Sequence, residues 1–292
     1  MSQRFDGSQQ LFRIGLFVLD PDDWLEIDNR LDDCLSEKRR LADAHPDEIF
    51  IAEPGSEDAQ RETWEMVSAF VTRRFPETYD RQGDGVVYRP NGIRVDPDPA
   101  QFLWRAALLV PDDLLLLKKD EAGWRLVAGA LSFPSSWRLK DKIGLPIGEV
   151  HGPVPGFASN SRNDDLINRM FDNMRADTLM ARFNWSVYGD AALFHPDPDE
   201  TGSLRLGGSG EAAFLRVERQ TLRLLPQSGA VLFTVKVIVD PLARLADMPD
   251  RFQICERLAG QLENLDAAQL DYKGLSAHRD ALVARLRDLQ RS

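Results

Sequence analysis

Between residues 212 and 240 apolar and polar positions alternate on either side of a Gln-Ser-Gly turn: AAFLRVERQTLRLLP before it, AVLFTVKVIVD after it. A period of two is the signature of a half-buried strand, so this stretch predicts a β-hairpin. LLLLKKDEAGWRLVAGALSF (114–133) predicts a second hairpin around KDEAG, and RFNWSVYG (182–189) alternates as a further strand. Other stretches follow the helical period. In SEDAQRETWEMVSAFVTRRFP (56–76) Trp64, Val67, Phe70 and Val71 share one face. Ser56 suits its cap, Arg73 and Arg74 suit its C-terminal dipole, and Pro76 marks its end. LDPDDWLEID (19–28) predicts a turn and a helix start capped by Asp22 or Asp23. A helix over roughly 163–180 places Leu166, Ile167, Met170, Phe171 and Met174 on one side. Residues from about 246 to 290 are helical and charged, ending in an amphipathic surface helix, SAHRDALVARLRDLQ. Helices, then a run of mostly antiparallel strands, then helices is an α+β order without regular βαβ alternation. The predicted division is a domain over 1–245 and a helical extension over 246–292 packed on it.

Several strand positions carry polar groups where apolar ones are expected. On RFNWSV, Phe183, Trp185 and Val187 read as core, and Arg182, Asn184 and Ser186 share the other face, which is solvated by residue type alone. On FLRVERQTL, Leu215, Val217, Arg219 and Thr221 form one face, and Phe214, Arg216, Glu218, Gln220 and Leu222 the other. Whichever face is inside, at least one arginine points toward it, and a buried arginine needs an anionic partner. Glu218 can serve internally; so can a carboxylate ligand. In SFPSSWRLKDKIG (132–144) Pro134 interrupts the strand, Ser135 and Ser136 can cap or bond a ligand, and Trp137 offers a flat face and an N–H. Lys140 and Lys142 read as solvated, with one within reach of a ligand carboxylate.

Residues 148–157, GEVHGPVPGF, place His151 between Gly152 and two prolines. Pro153 and Pro155 fix φ and lack a donor, so the segment reads as stiff, kinked and extended rather than helical. His45, His195 and His278 sit in polar surroundings and read as surface residues. His151 sits among Ile143, Leu145, Ile147, Val150, Val154 and Phe157, so it is either a buried hydrogen-bonded histidine or a ligand or general base. One isolated histidine is too few for protein-held zinc or non-haem iron, but enough for haem, whose porphyrin supplies four nitrogens.

Charge narrows the partners. The chain has 292 residues and a formal net charge of −11, with no basic stripe, which disfavours nucleic acid. The N-terminal MSQRFDGSQQ has no apolar core, and no apolar run reaches the ~20 residues that span a bilayer. Cys34 and Cys255 lie in no metal-binding spacing and read as reduced structural thiols, as in a cytoplasmic protein.

Together SFPSSW, KIG, VHGPVPG, R-x-N-W, R-x-E-R-Q-T-L and L-P-x-S-G-A-x-x-F-T resemble the haem-dependent oxidative N-demethylase family, whose known example is the large subunit of dimethylamine monooxygenase. DPDDWLEID, RRFPETYD and LLVPDDLLLL agree in order, and the resemblance covers roughly residues 10 to 245. It implies a PAS-like antiparallel core with flanking helices, binding one b-type haem (heme b) through a histidine. The role carries to His151, the histidine inside the shared motif. It also implies oxidative N-demethylation: a secondary methylamine, dioxygen and two electrons give a primary amine, formaldehyde and water. Arg182 and Arg219, with Lys142 and Trp137, are the candidate haem contacts. Asn184, Arg216 and Glu218 are the candidates for distal hydrogen bonds or for receiving the ammonium. The sequence has no dinucleotide fingerprint, flavin motif or iron–sulfur spacing. The resemblance therefore implies electrons from NADPH through flavin and [2Fe–2S] on partner proteins. Two other readings remain: a haem-binding gas or redox sensor without turnover, and a haem-free PAS-like module that binds a small carboxylate through the arginines.

Overall fold

The computed structural model describes residues 5–121, 123–197 and 213–291. The long hairpin forms as its alternation predicts. Strand β9 (Phe214–Leu224) pairs with β10 (Val231–Pro241) along its whole length, from Phe214↔Pro241 to Leu224↔Val231. Leu225 N–H donates to Ala230 O at 2.8 Å across the turn, where Gly229 takes a φ of 68° that a β-carbon would oppose. The second hairpin is β6 (Asp113–Asp120) and β7 (Gly123–Ala130), with a register shift between Leu116 and Leu117. Strand β8 (Leu179–Tyr188) pairs with β9, β1 (Phe17–Leu19) with β8, and β2 (Phe50–Ala52) with β7. The result is a seven-stranded antiparallel sheet, ordered β1-β8-β9-β10-β6-β7-β2. A small second sheet, β3 (Tyr79–Gln82), β4 (Gly85–Tyr88) and β5 (Ile93–Val95), follows the 18-residue helix Glu57–Arg74.

The sheet has two different covers. On one face Leu114, Leu116 and Leu232 join a core with α1 (Leu31–Ala44), α2 (Pro46–Ile49), α3 (Glu57–Arg74) and α4 (Phe102–Ala107) through Leu41, Ile49, Val67 and Leu103. Further along that face Phe183, Trp185, Leu215 and Val217 pack on α7 (Arg251–Asn264), α8 (Ala267–Tyr272) and α9 (Arg279–Arg291). The other face, with Leu117, Leu222 and Val231, packs Ile147 of α5 (Ile147–Val150) and Ile167 and Phe171 of α6 (Arg162–Asp172). A one-residue slip of β9 would exchange these faces, and burial of roughly 1.5–3 kcal/mol per large apolar side chain fixes the register. The α+β architecture is as expected, an antiparallel sheet between N- and C-terminal helices.

Local expectations give way in four places. Residues 21–23 form a single 3₁₀ turn whose cap is Asp20, which accepts from Asp22 N–H at 2.9 Å; the helix starts only at Leu31. The Ser56 hydroxyl makes no cap bond and instead donates to Glu53 O at 2.6 Å. Helix α6 stops at Asp172, because Leu179 and Met180 are drawn into β8. The segment 148–157 is not extended throughout. Pro146, which needs no intrahelical N–H partner, opens the short turn α5, and His151 N–H closes it on Ile147 O at 3.0 Å. Pro153 and Pro155 lie beyond that turn and do not break it. Much of the 195–210 loop falls outside the described residues.

Candidate functional site

Strand register brings the polar residues of β8 and β9 together. Arg182 lies opposite Gln220, Asn184 opposite Glu218, and Ser186 opposite Arg216, all on the face that α5 and α6 cover. Glu218 is the centre of this group. Ser135 donates to its Oε1 at 2.5 Å, while Asn184 and Gln220 donate to its Oε2 at 3.1 and 2.8 Å. Burial pushes the Glu218 carboxyl up, but those bonds and the charges of Arg216 and Lys273 outweigh it, so the group sits below the ordinary glutamate range.

Arg216 is fully enclosed. Its Nε donates to Ser135 Oγ at 2.9 Å, Nη1 to Ala192 O at 3.2 Å, and Nη2 to the carbonyls of Phe133, Pro134 and Leu193 at 3.0–3.1 Å. The guanidinium therefore ties the SFPSSW segment and residues 192–193 to β9, and it reaches Glu218 through Ser135. Asp113 holds the same segment from the other end, accepting from Ser132 and Phe133 N–H at 2.7 and 2.9 Å.

His151 follows α5 on this face, its ring 6.1 Å from that of Phe157. Its Nδ1 is buried and makes no hydrogen bond to any described residue. Burial, with the charges of Lys142 and Arg182 adding to it, outweighs the opposing pull of Asp164 and of the Ile147 backbone and pushes the imidazole down to about 4, so the ring is neutral. Lys142 donates to Val150 O, which holds its ammonium beside the turn. Arg182 is half-buried and makes no hydrogen bond or ion pair with any described residue; burial lowers it and Glu218 pulls it back. Lys142 likewise makes no ion pair among the described residues. Two unpaired cations flank one orphaned imidazole nitrogen.

The other expected residues have protein partners of their own. Arg219 points to the opposite face, where it donates to Trp24 O at 2.8 Å and meets Glu26 at 3.1 Å. Its sequence face was right, and an internal partner satisfies it. Trp137 packs with Leu115, Leu126, Leu131 and Leu139, beside Val150 and Ile143. His195 is not a surface residue: it is 6% exposed, sits 3.1 Å from Asp190 Oδ1, and lies against Tyr188 at 4.8 Å. Its main chain bonds both Pro134 and Ser136, because the chain returns there to cover Arg216.

Two residues come from a region where the sequence offered no motif. Lys273, at the end of α8, donates to Trp185 O at 2.8 Å, Ser186 Oγ at 2.9 Å and Asn184 Oδ1 at 3.3 Å. Tyr272 beside it faces Glu218 and Tyr188. DYKGL has no spacing that would mark either one.

The sequence model of a family described as haem-dependent oxidative N-demethylase, alpha subunit-like, matches residues 15–283. The chain belongs to that family. The match runs beyond the motifs that end near residue 245 and takes in α7, α8 and the Tyr272–Lys273 pair. The residues present fit the haem of this N-demethylase family. A neutral imidazole with a free buried nitrogen is the donor that haem iron takes, and two unpaired cations suit two propionates. Among the described residues no cluster of three His, Cys, Asp or Glu could hold a metal ion, and no helix is long and apolar enough to cross a membrane.

Proposed function

We propose that this chain is the haem-carrying catalytic component of an oxidative N-demethylase that acts on a small secondary methylamine of dimethylamine size. The observation that carries the reading is the orphaned Nδ1 of His151 beside the unpaired Lys142 and Arg182. His151 would hold the iron of haem b, Arg182 and Lys142 would pair with its propionates, and Trp137 would line its edge, on a PAS-like sheet. Haem supplies dioxygen activation and electron acceptance when bound. The chain's own residues do the rest. An ionised carboxylate offers about four lone-pair sites. Ser135, Asn184 and Gln220 take three on Glu218, leaving one for the N–H of an ammonium. Asn184 and Gln220 orient that carboxylate, while Arg216 supports it through Ser135 rather than by touching substrate. Overall, a secondary methylamine, dioxygen, two electrons and two protons give a primary amine, formaldehyde and water. The alpha-subunit description supports a system of several subunits; partner proteins would supply the electrons from NADPH through flavin and [2Fe–2S]. Two free buried cysteines support a reducing, cytoplasmic setting.

The test is the visible spectrum of purified protein, with and without dithionite and carbon monoxide. A Soret band is expected in the wild type and lost in His151→Ala; an unaltered band in that variant would overturn the ligand assignment. Formaldehyde release from dimethylamine with a reductase is expected. Haem binding with no formaldehyde from any methylamine would leave the sensor reading in place.

A further inference from the structure

Lys273 is 8% exposed and engages three acceptors with the three donors of its ammonium. Two of them, Trp185 O and Ser186 Oγ, would suffice to anchor α8 on β8. The third contact is different. An ammonium has no acceptor, so the Asn184 amide must turn its oxygen toward Lys273. The amide nitrogen then faces Glu218 Oε2 at 3.1 Å. Reversed, the amide would set oxygen against carboxylate oxygen and strand a donor against the ammonium. We propose that Lys273 is a positioning residue: it locks the orientation of the Asn184 amide, and through it the Glu218 carboxylate, making the C-terminal helical segment part of the substrate site. Burying an ammonium is costly, and burial lowers Lys273 to about 8 against the pull of Glu218. The groups facing Glu218 are Ser135, Tyr188, Arg216, Gln220, Arg182, Asn184, Tyr272 and Lys273, from the SFPSSW segment, β8, β9 and α8. Of these, Lys273 alone bonds the Asn184 oxygen.

The kinetic consequence rests on Glu218 receiving the amine; the structural one does not. The first measurement is an infrared titration of the protein without haem, following the carboxylic-acid carbonyl band that is missing in Glu218→Gln. In Lys273→Met its midpoint should rise by about one pH unit or more, and Lys273→Arg should restore part of the shift. The double variant Asn184→Ala/Lys273→Met should shift by less than the sum of the two single shifts, since part of the Lys273 effect runs through Asn184 and only the rest is its direct charge on Glu218. In the haem-loaded enzyme the amine KM should rise roughly tenfold in Lys273→Met, with kcat changed less. An unchanged Glu218 midpoint in a folded Lys273→Met, or additive shifts in the double variant, would reduce Lys273 to an anchor for α8. If Lys273→Met does not fold, Asn184→Leu must give the same midpoint shift or the proposal fails. A shifted midpoint in a protein that turns over no methylamine would sink the demethylase reading and leave this one standing.

Discussion

Glu218 is a carboxylate prepared to stay ionised in a half-buried place. Three neutral donors and two nearby cations do that work, and about one of the four lone-pair sites of the carboxylate has no donor among the described residues. Glu218→Gln keeps the shape and removes the charge. A charge-assisted hydrogen bond contributes about 1.5–3 kcal/mol, so the amine KM should rise roughly 10- to 100-fold while the haem spectrum stays unchanged. Steady-state formaldehyde kinetics beside the Soret band of the same preparation checks this, and an unchanged KM would remove Glu218 from the amine site. Part of this chemistry was legible in the sequence. Alternation alone required an arginine inside whichever face was core, and both Arg216 and Arg219 are 1% exposed. Which of them shared a face with His151 depended on what covers each side of the sheet, and periodicity carries no information on that. His151 stood out through its apolar neighbours. Lys273 did not, since its partners are 87–89 positions away and the local sequence is that of an ordinary polar helix end.

At the scale of elements, the SFPSSW segment is where strand β7 stops and the site begins. Pro134 cannot continue the ladder, and Ser136 takes a positive φ of 62°, so the chain leaves the sheet here. Asp113 grips it at Ser132 and Phe133, Nη2 of Arg216 grips the next two carbonyls, and the fork spreads further, with Nε on Ser135 and Nη1 on Ala192. Lysine has three donors on one atom and cannot span that fork. Arg216→Lys should therefore destabilise the protein by about 3 kcal/mol, read as a lower urea midpoint at unchanged slope. A loss within about 0.5 kcal/mol, the usual range for a surface change, would mean that the carbonyl cage does not depend on the fork. The hairpins were legible because their alternation runs over many residues and both strands agree. The short α5 turn was not. Prolines at 153 and 155 dominated the reading, although a helical turn is limited only by what lies within it, and Pro146 favours its start.

On the scale of the whole molecule, one sheet separates two environments, and the C-terminal helices bridge them. Leu258, Leu262, Leu282 and Leu286 bury α7 and α9 against the apolar side of β8 and β9. The link between α8 and α9 carries Lys273 round to the polar side of the same strands. This cover contributes to stability and to the site in opposite directions. Apolar packing stabilises it, while the enclosed ammonium costs free energy whenever it is protonated. Lys273 falls from an ordinary 10.5 to about 8 on folding. Between those values the unfolded chain holds more protons than the folded one, so stability from this group rises with pH across the window. It is fully present above the unfolded value and lost as pH falls through about 8. The full size is on the order of 3–4 kcal/mol, from the fall of 10.5 to about 8 at about 1.4 kcal/mol per unit, and roughly 2.5 kcal/mol of it falls between neutral pH and pH 10. Urea unfolding of wild type and Lys273→Met at neutral pH and near pH 10 cancels the other titrating groups in the difference. The wild type should gain on the variant by that amount as pH rises. A difference that stays flat would mean that water reaches Lys273 freely, and an ammonium solvated in that way would have no need of the Asn184 oxygen.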